Sequence, residues 1–151
     1  MILHSVLFNI CFVLKKELIK IPLFGKGLRA IDSIPIDRKS NFSSLKEVLR
    51  TGKRRLKDGL SIVIFPEGTR VTFGSSPKFH KAAAILAKNS GKKIIPIAHN
   101  SGLYWKTGFS LIKPGIITLI IGCPIETKKF TVEELNNFCH KWIKEKIESI
   151  N

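Results

Sequence analysis

Leu60-Ser61-Ile62-Val63-Ile64-Phe65-Pro66-Glu67-Gly68-Thr69-Arg70 is the stretch on which the fold turns. Leu60 to Phe65 is apolar almost without interruption, and a continuous rather than alternating run predicts a strand covered on both faces, the habit of a parallel sheet beneath helices. Pro66 stops it, having no N–H to give to a ladder. A loop follows from Glu67 to Pro77, and it opens with an acid, a glycine, a hydroxyl and a guanidinium in one tight turn. Arg70 can take two phosphate oxygens side by side, Gly68 lets the backbone approach closely, and Glu67 can orient Arg70 or accept a ligand hydroxyl. The same residues also describe an ordinary strand-end turn with a surface ion pair, and on chemistry alone that reading is slightly favoured.

Toward the N-terminus, Ser44 to Asp58 carries Leu45, Val48, Leu49 and Leu56 on one helical face and ends at Gly59. Before it, Ser33 to Ile36 reads as a strand with Asp37 and Arg38 at its end, and Val6 to Leu14 as a buried opening strand. Between them Lys15 to Ile21 is a short helix or turn, and Pro22, Gly25 and Gly27 punctuate the passage. Toward the C-terminus, Lys78 to Asn89 predicts a helix closed by Gly91, and Ile94 to Ala98 and Ile116 to Ile121 predict strands. Thr131 and Glu134 have capping-box spacing at the head of a closing helix, with Val132, Leu135, Phe138, Cys139, Trp142, Ile143, Ile147 and Ile150 as its apolar stripe. Strands alternating with helices predict one α/β domain over 1–151, a mainly parallel central sheet flanked by helices, with its ligand site where loops leave the carboxyl ends of strands.

With 44% apolar and 25% charged residues the chain is globular, which excludes disorder and low complexity. Its formal charge of +15 calls for anionic partners, phospholipid headgroups or nucleic acid, which composition alone does not separate. Lys15, Lys16, Lys20, Lys26 and Arg29 form one basic cluster, and Lys53, Arg54, Arg55 and Lys57 another; either can face an anionic leaflet or simply be solvated. Tyr104, Trp105 and Phe109 offer an interfacial aromatic contact, and a core-packed Trp105 is the equal alternative. Cys11, Cys123 and Cys139 fit neither a disulfide framework nor a zinc site, which implies a reducing compartment. The apolar opening Met1 to Leu14 is too short to span a bilayer and lacks the marks of a signal peptide.

Four blocks in order carry a family resemblance. Phe12 to Leu18 through Ile21-Pro22-Leu23-Phe24-Gly25, then Ile34-Pro35-Ile36-Asp37-Arg38, then Phe65 to Arg70, then Ile95-Pro96-Ile97-Ala98-His99-Asn100-Ser101-Gly102 resemble the 1-acylglycerol-3-phosphate acyltransferases over nearly the whole chain. These enzymes move a fatty acyl group from a coenzyme A or acyl-carrier-protein thioester to a glycerophosphate hydroxyl in phospholipid synthesis. The resemblance implies a glycerolipid-acyltransferase-like fold. It also implies a substrate site of Arg38, Phe65, Pro66, Glu67, Gly68, Thr69 and Arg70, and an acyl-donor pocket shaped at Ile95 and Pro96. No metal and no cofactor beyond the acyl donor is implied. The expected partners are a lysophospholipid, that donor and an anionic membrane surface on the cytoplasmic side of the cell membrane.

One family motif does not carry over. Members carry a His-x4-Asp pair, the histidine serving as general base and the aspartate orienting it. Five residues after His4 stands Asn9, after His80 Ile85, after His99 Tyr104 and after His140 Glu145, an i, i+5 pair that shares no helix face. No catalytic residue is assigned, and the resemblance implies an N-terminally shortened chain, missing the family's N-terminal helical elements through a misplaced start or a degenerate gene. Impaired turnover with surviving binding is the expectation. A binding-only homologue and a basic nucleic-acid-binding domain are the rivals; the second rests on charge alone, since no nucleic-acid module is evident and no nucleic acid is expected as partner.

Overall fold

The computed structural model describes residues 3, 7–37, 41–72, 74–105 and 113–150. Two compact units compose the chain, Met1–Phe65 and Pro66–Asn151.

In the first unit β1 (Ile10–Lys15) is the centre of a parallel sheet of order β2-β1-β3, with β2 at Ile34–Ile36 and β3 at Ser61–Val63. The carboxyl half of β1 pairs with β2, Val13 opposite Ile34, and its amino half pairs with β3, Ile10 opposite Ser61. Ile10, Cys11, Val13 and Leu14 are all buried, so β1 is the strand covered on both faces. The expectation placed that role at Leu60 to Phe65. There only Ser61–Val63 pairs, Ser61 is exposed, and Ile62 and Val63 are half-buried. An edge strand has one neighbour instead of two, and its apolar run is covered accordingly.

A helix that the glycines concealed follows β1. After a 3-10 turn at Lys16–Lys20 comes α1 (Phe24–Ala30), containing Gly25 and Gly27. A Cβ on Gly25 would lie 1.9 Å from the Ile19 carbonyl oxygen, so only glycine lets α1 cross the preceding turn this closely. Packing here overrides the poor helix propensity of glycine. α2 (Asn41–Lys57) buries Val48 and Thr51 and stops at Gly59, whose φ of +83° suits glycine. Leu60 N–H donates back to the Arg55 carbonyl at 3.0 Å, closing the helix end. Arg55 is turned inward to Asp32 at 2.7 Å and does not join the exposed Lys53, Arg54 and Lys57 of its cluster.

In the second unit α3 (Ala82–Ser90) ends at Gly91 in the left-handed conformation. It leads to β4 (Ile97–His99), a short α4 (Ser101–Tyr104) and β5 (Leu119–Ile121). β4 and β5 are antiparallel, Ala98 opposite Ile120, unlike the parallel pairs of the first unit, a difference that an apolar run cannot reveal. After a 3-10 turn at Thr127–Lys129, α5 (Val132–Glu148) packs on α3 and β4. The capping box at its head is complete: Glu134 N–H donates to Thr131 Oγ1 at 3.2 Å and Thr131 N–H to Glu134 Oε2 at 2.7 Å. Leu135 is fully buried, while Phe138 of the expected stripe is exposed. Among the described residues no helix is long and apolar enough to cross a membrane.

Candidate functional site

The motif splits at Pro66. Phe65 closes the first unit, half exposed, and Pro66–Arg70 opens the second as a turn. Gly68 sits at φ +68°, a conformation that costs a side-chain-bearing residue about 1–2 kcal/mol. The turn is tied to the segment before α3, because His80 N–H donates to the Pro66 carbonyl at 2.8 Å. That bond brings the His80 ring over the glycine: a Cβ on Gly68 would meet His80 Cδ2 at 2.8 Å and Nε2 at 2.9 Å. Thr69 and Arg70 are exposed beyond it, and Glu67 is half-buried. A glycine backbone, an imidazole edge, a hydroxyl and a guanidinium therefore share one turn. Such a group can hold a phosphate through charge-assisted hydrogen bonds.

His80 is the residue that sequence reasoning left aside. It stands twelve residues beyond Gly68. Only the backbone bond to Pro66 brings it back, and no local pattern announces such a bond. Phe79, next to it, is the anchor: it is buried, its carbonyl accepts from Asn136 Nδ2 at 3.3 Å, and His140 packs edge-on against its ring at 4.6 Å. His140 also bonds the Pro77 carbonyl at 3.1 Å and Ser76 Oγ at 3.0 Å, so its role is to fasten the loop to α5. The second member of its i, i+5 spacing, Glu145, pairs instead with Lys141 at 3.9 Å.

His99 ends β4, with Nδ1 hydrogen-bonded to Ser101 Oγ at 2.9 Å. Burial lowers its pKa below the ordinary 6.5, while the Glu67 carboxylate of the turn pulls the other way. The neighbouring Asn100 is a clamp: its Oδ1 accepts from Thr118 N–H at 2.8 Å, and its Nδ2 reaches the Ile116 and Ile150 carbonyls at 3.4 Å. Of the two donor-pocket residues, Ile95 is half exposed, whereas Pro96 is buried. The Pro96 ring and Trp142 both lie against Gly122, so close that a Cβ there would meet Pro96 Cγ at 2.9 Å and Trp142 Cζ2 at 2.8 Å. Trp105 is 61% exposed, which removes the core-packed alternative. Arg38, His4 and Phe109 lie outside the described residues. Among the described residues no three His, Cys, Asp or Glu side chains converge on a common metal position.

The family model described as Acyltransferase matches residues 1–100. The 1-acyl-sn-glycerol-3-phosphate acyltransferase of Pseudomonas aeruginosa is 38% identical over 143 residues, 92% of this chain and 55% of that protein. The Helicobacter pylori protein of the same name is 38% identical over 90 residues, covering 59% of this chain and 38% of its own length. Among solved structures, the 1-acyl-sn-glycerophosphate (LPA) acyltransferase PlsC from Thermotoga maritima superposes with a TM-score of 0.76 at 26% identity, over 94% of this chain and 57% of that one. The chain thus spans about half the length of the curated relatives it matches. A model match running from Met1 through the strand-end turn to Asn100, and a shared α/β fold around it, make the chain a member of the acyltransferase family that includes the 1-acyl-sn-glycerol-3-phosphate acyltransferases.

Proposed function

We propose that this chain carries the acceptor-binding part of an enzyme that transfers a fatty acyl group to 1-acylglycerol-3-phosphate, giving phosphatidic acid for phospholipid synthesis. The donor is an acyl thioester of coenzyme A or acyl-carrier protein. The acceptor phosphate is held by the turn Pro66–Arg70, with Arg70 as its principal cation. Phe65 flanks the turn in sequence, and Ile95 and Pro96 shape the donor side. One observation carries the reading: the turn at Gly68, left-handed at φ +68°, leaves two side chains with phosphate-binding chemistry exposed, the Thr69 hydroxyl and the Arg70 guanidinium. The family names of the relatives supply the chemistry of the ligand.

Within these residues no His-x4-Asp pair is present to take the proton of the acceptor hydroxyl. General-base help is worth roughly 10²–10⁴-fold, so this chain by itself binds lysophosphatidic acid while turning it over weakly or not at all. The net charge of +15 supports work at an anionic membrane surface, and the cytoplasmic leaflet is the one that carries a negative surface potential. The test is acyl transfer from a radiolabelled acyl thioester to lysophosphatidic acid, run beside direct binding of that lipid. Binding that Arg70→Ala weakens, with transfer at or near background, is expected. Full turnover by this chain would refute the binding-only account of it, and absence of lysophosphatidic acid binding would refute the acceptor site.

A further inference from the structure

We infer that the corner Ile21-Pro22-Leu23-Phe24 is the point at which the chain seats itself in an anionic lipid surface. The inference rests on the membrane-surface reading above and names the part that makes contact.

Three large apolar side chains of this four-residue corner stand out into solvent: Ile21 is 47% exposed, Leu23 81% and Phe24 49%. Isolated exposed apolar residues are unremarkable, but a run of them at one tip marks a surface made for another phase. The backbone holds them there. Phe24 N–H donates to the Pro22 carbonyl at 2.7 Å, closing a three-residue turn whose middle residue, Leu23, has φ +62° and ψ −53°. That is the rare, strained form of the γ-turn, and leucine gains nothing from it by itself. Gly25 N–H donates to the Ile21 carbonyl at 2.8 Å, and the close crossing of Gly25 over the Ile19 carbonyl locks α1 onto the 3-10 turn. Leu23 is therefore held outward by a rigid corner.

Charge chooses the occupant. From Lys15 to Ala30 the segment carries Lys15, Lys16, Lys20, Lys26 and Arg29 against the single carboxylate of Glu17, which is spent on Lys15 at 3.6 Å. All five cations are exposed and flank the apolar tip on both sides in sequence. An apolar wedge ringed by cations matches acyl chains beneath anionic headgroups, each cation adding to the attraction and the wedge adding depth. A second copy of this chain would bring a second set of the same cations against the first.

The full chain is tested by sedimentation with phosphatidylcholine vesicles, with and without phosphatidylglycerol. The wild type is expected to partition onto the anionic vesicles. The double variant Leu23→Ser, Phe24→Ser should partition at least about tenfold more weakly at the same salt, with an unchanged far-UV spectrum. In a second variant, Leu23→Trp, the added emission should be quenched by brominated acyl chains and protected from aqueous iodide, a readout that needs no deletion of the tip. Equal partitioning of the folded double variant, or iodide quenching of the new tryptophan that vesicles leave unchanged, overturns the corner as the contact. So does a lipid-free dimer that the double variant abolishes, which would assign the tip to a second copy. If no form of the chain partitions onto anionic vesicles, the membrane-surface reading fails as well, and the two failures are told apart by the wild type alone.

Discussion

The His80 imidazole lies on the α-carbon of Gly68, so near that a methyl group added to the glycine would stand 2.8 Å from Cδ2 and 2.9 Å from Nε2. The contact joins the turn Pro66–Arg70 to the segment before α3, beside one backbone bond from His80 N–H to the Pro66 carbonyl. Gly68 therefore meets two demands, a positive φ and an empty Cβ position.

Gly68→Ala is expected to destabilise the protein by about 1–2 kcal/mol from the backbone alone, with an added cost for moving the ring. In a His80→Ala background the second cost vanishes and the first remains. Denaturant melts of the four proteins should give a coupling above about 0.5 kcal/mol, and strict additivity would mean that the ring does not rest on the glycine.

Arg70→Ala is expected to weaken lysophosphatidic acid binding by about tenfold or more, since a charge-assisted hydrogen bond contributes about 1.5–3 kcal/mol. Stability should stay within about 0.5 kcal/mol of wild type, because the side chain is exposed. Arg70→Lys should recover only part of the affinity, a point charge lacking the guanidinium fork. Titration calorimetry and equilibrium unfolding together check this.

His99 gives a pH dependence whose sign follows from burial. Its pKa is lower folded than the 6.5 of the exposed ring, so between those values the unfolded chain binds more protons than the folded one. The stability it contributes is present above 6.5 and is lost as the pH falls through that window. His99→Gln should flatten the acid side of a stability-versus-pH curve. An unchanged slope would show that the ring protonates in place.

The cysteines separate by exposure. Cys123 is exposed, Cys139 is pushed up to about 11 by burial, and burial likewise raises Cys11 against the pull of the Arg55 guanidinium. A thiol reagent near neutral pH should therefore modify Cys123 in the native protein and reach Cys11 and Cys139 only on unfolding. Rapid native labelling of Cys11 would show that the β1 core opens readily.

Thr131→Ala removes one half of the capping box and should cost about 1 kcal/mol in a thermal or denaturant melt. Glu134→Ala should add little more in that background, because the two bonds form as a pair.

Much of this was legible along the chain, and the misses have a common cause. Thr131 and Glu134, Gly59 and Gly91 act within a few residues of themselves, and each stands where its spacing put it. α1 was hidden because Gly25 and Gly27 disfavour a helix locally, and only the Ile19 carbonyl above Gly25 explains them. Leu60 to Phe65 was expected to be covered on both faces and proves to hold an edge strand, because apolar runs look alike until their neighbours are known. The antiparallel β4–β5 pair was missed for the same reason. At the site, the turn Pro66–Arg70 announced itself, while His80 did not, since its partner lies in the other direction along the chain.

By itself the sequence determined the family, the alternation of strands and helices, and the absence of any His-x4-Asp pair within these residues, because motif, periodicity and capping are written in neighbouring positions. Tertiary structure alone decided that β1 is central, that His80 covers Gly68, that Arg55 turns in to Asp32, and that Leu23 is held out on a strained corner. The first three follow from which distant segments share space, a property of packing that the local order of residues does not encode, and the last from the close crossing of Gly25 over Ile19.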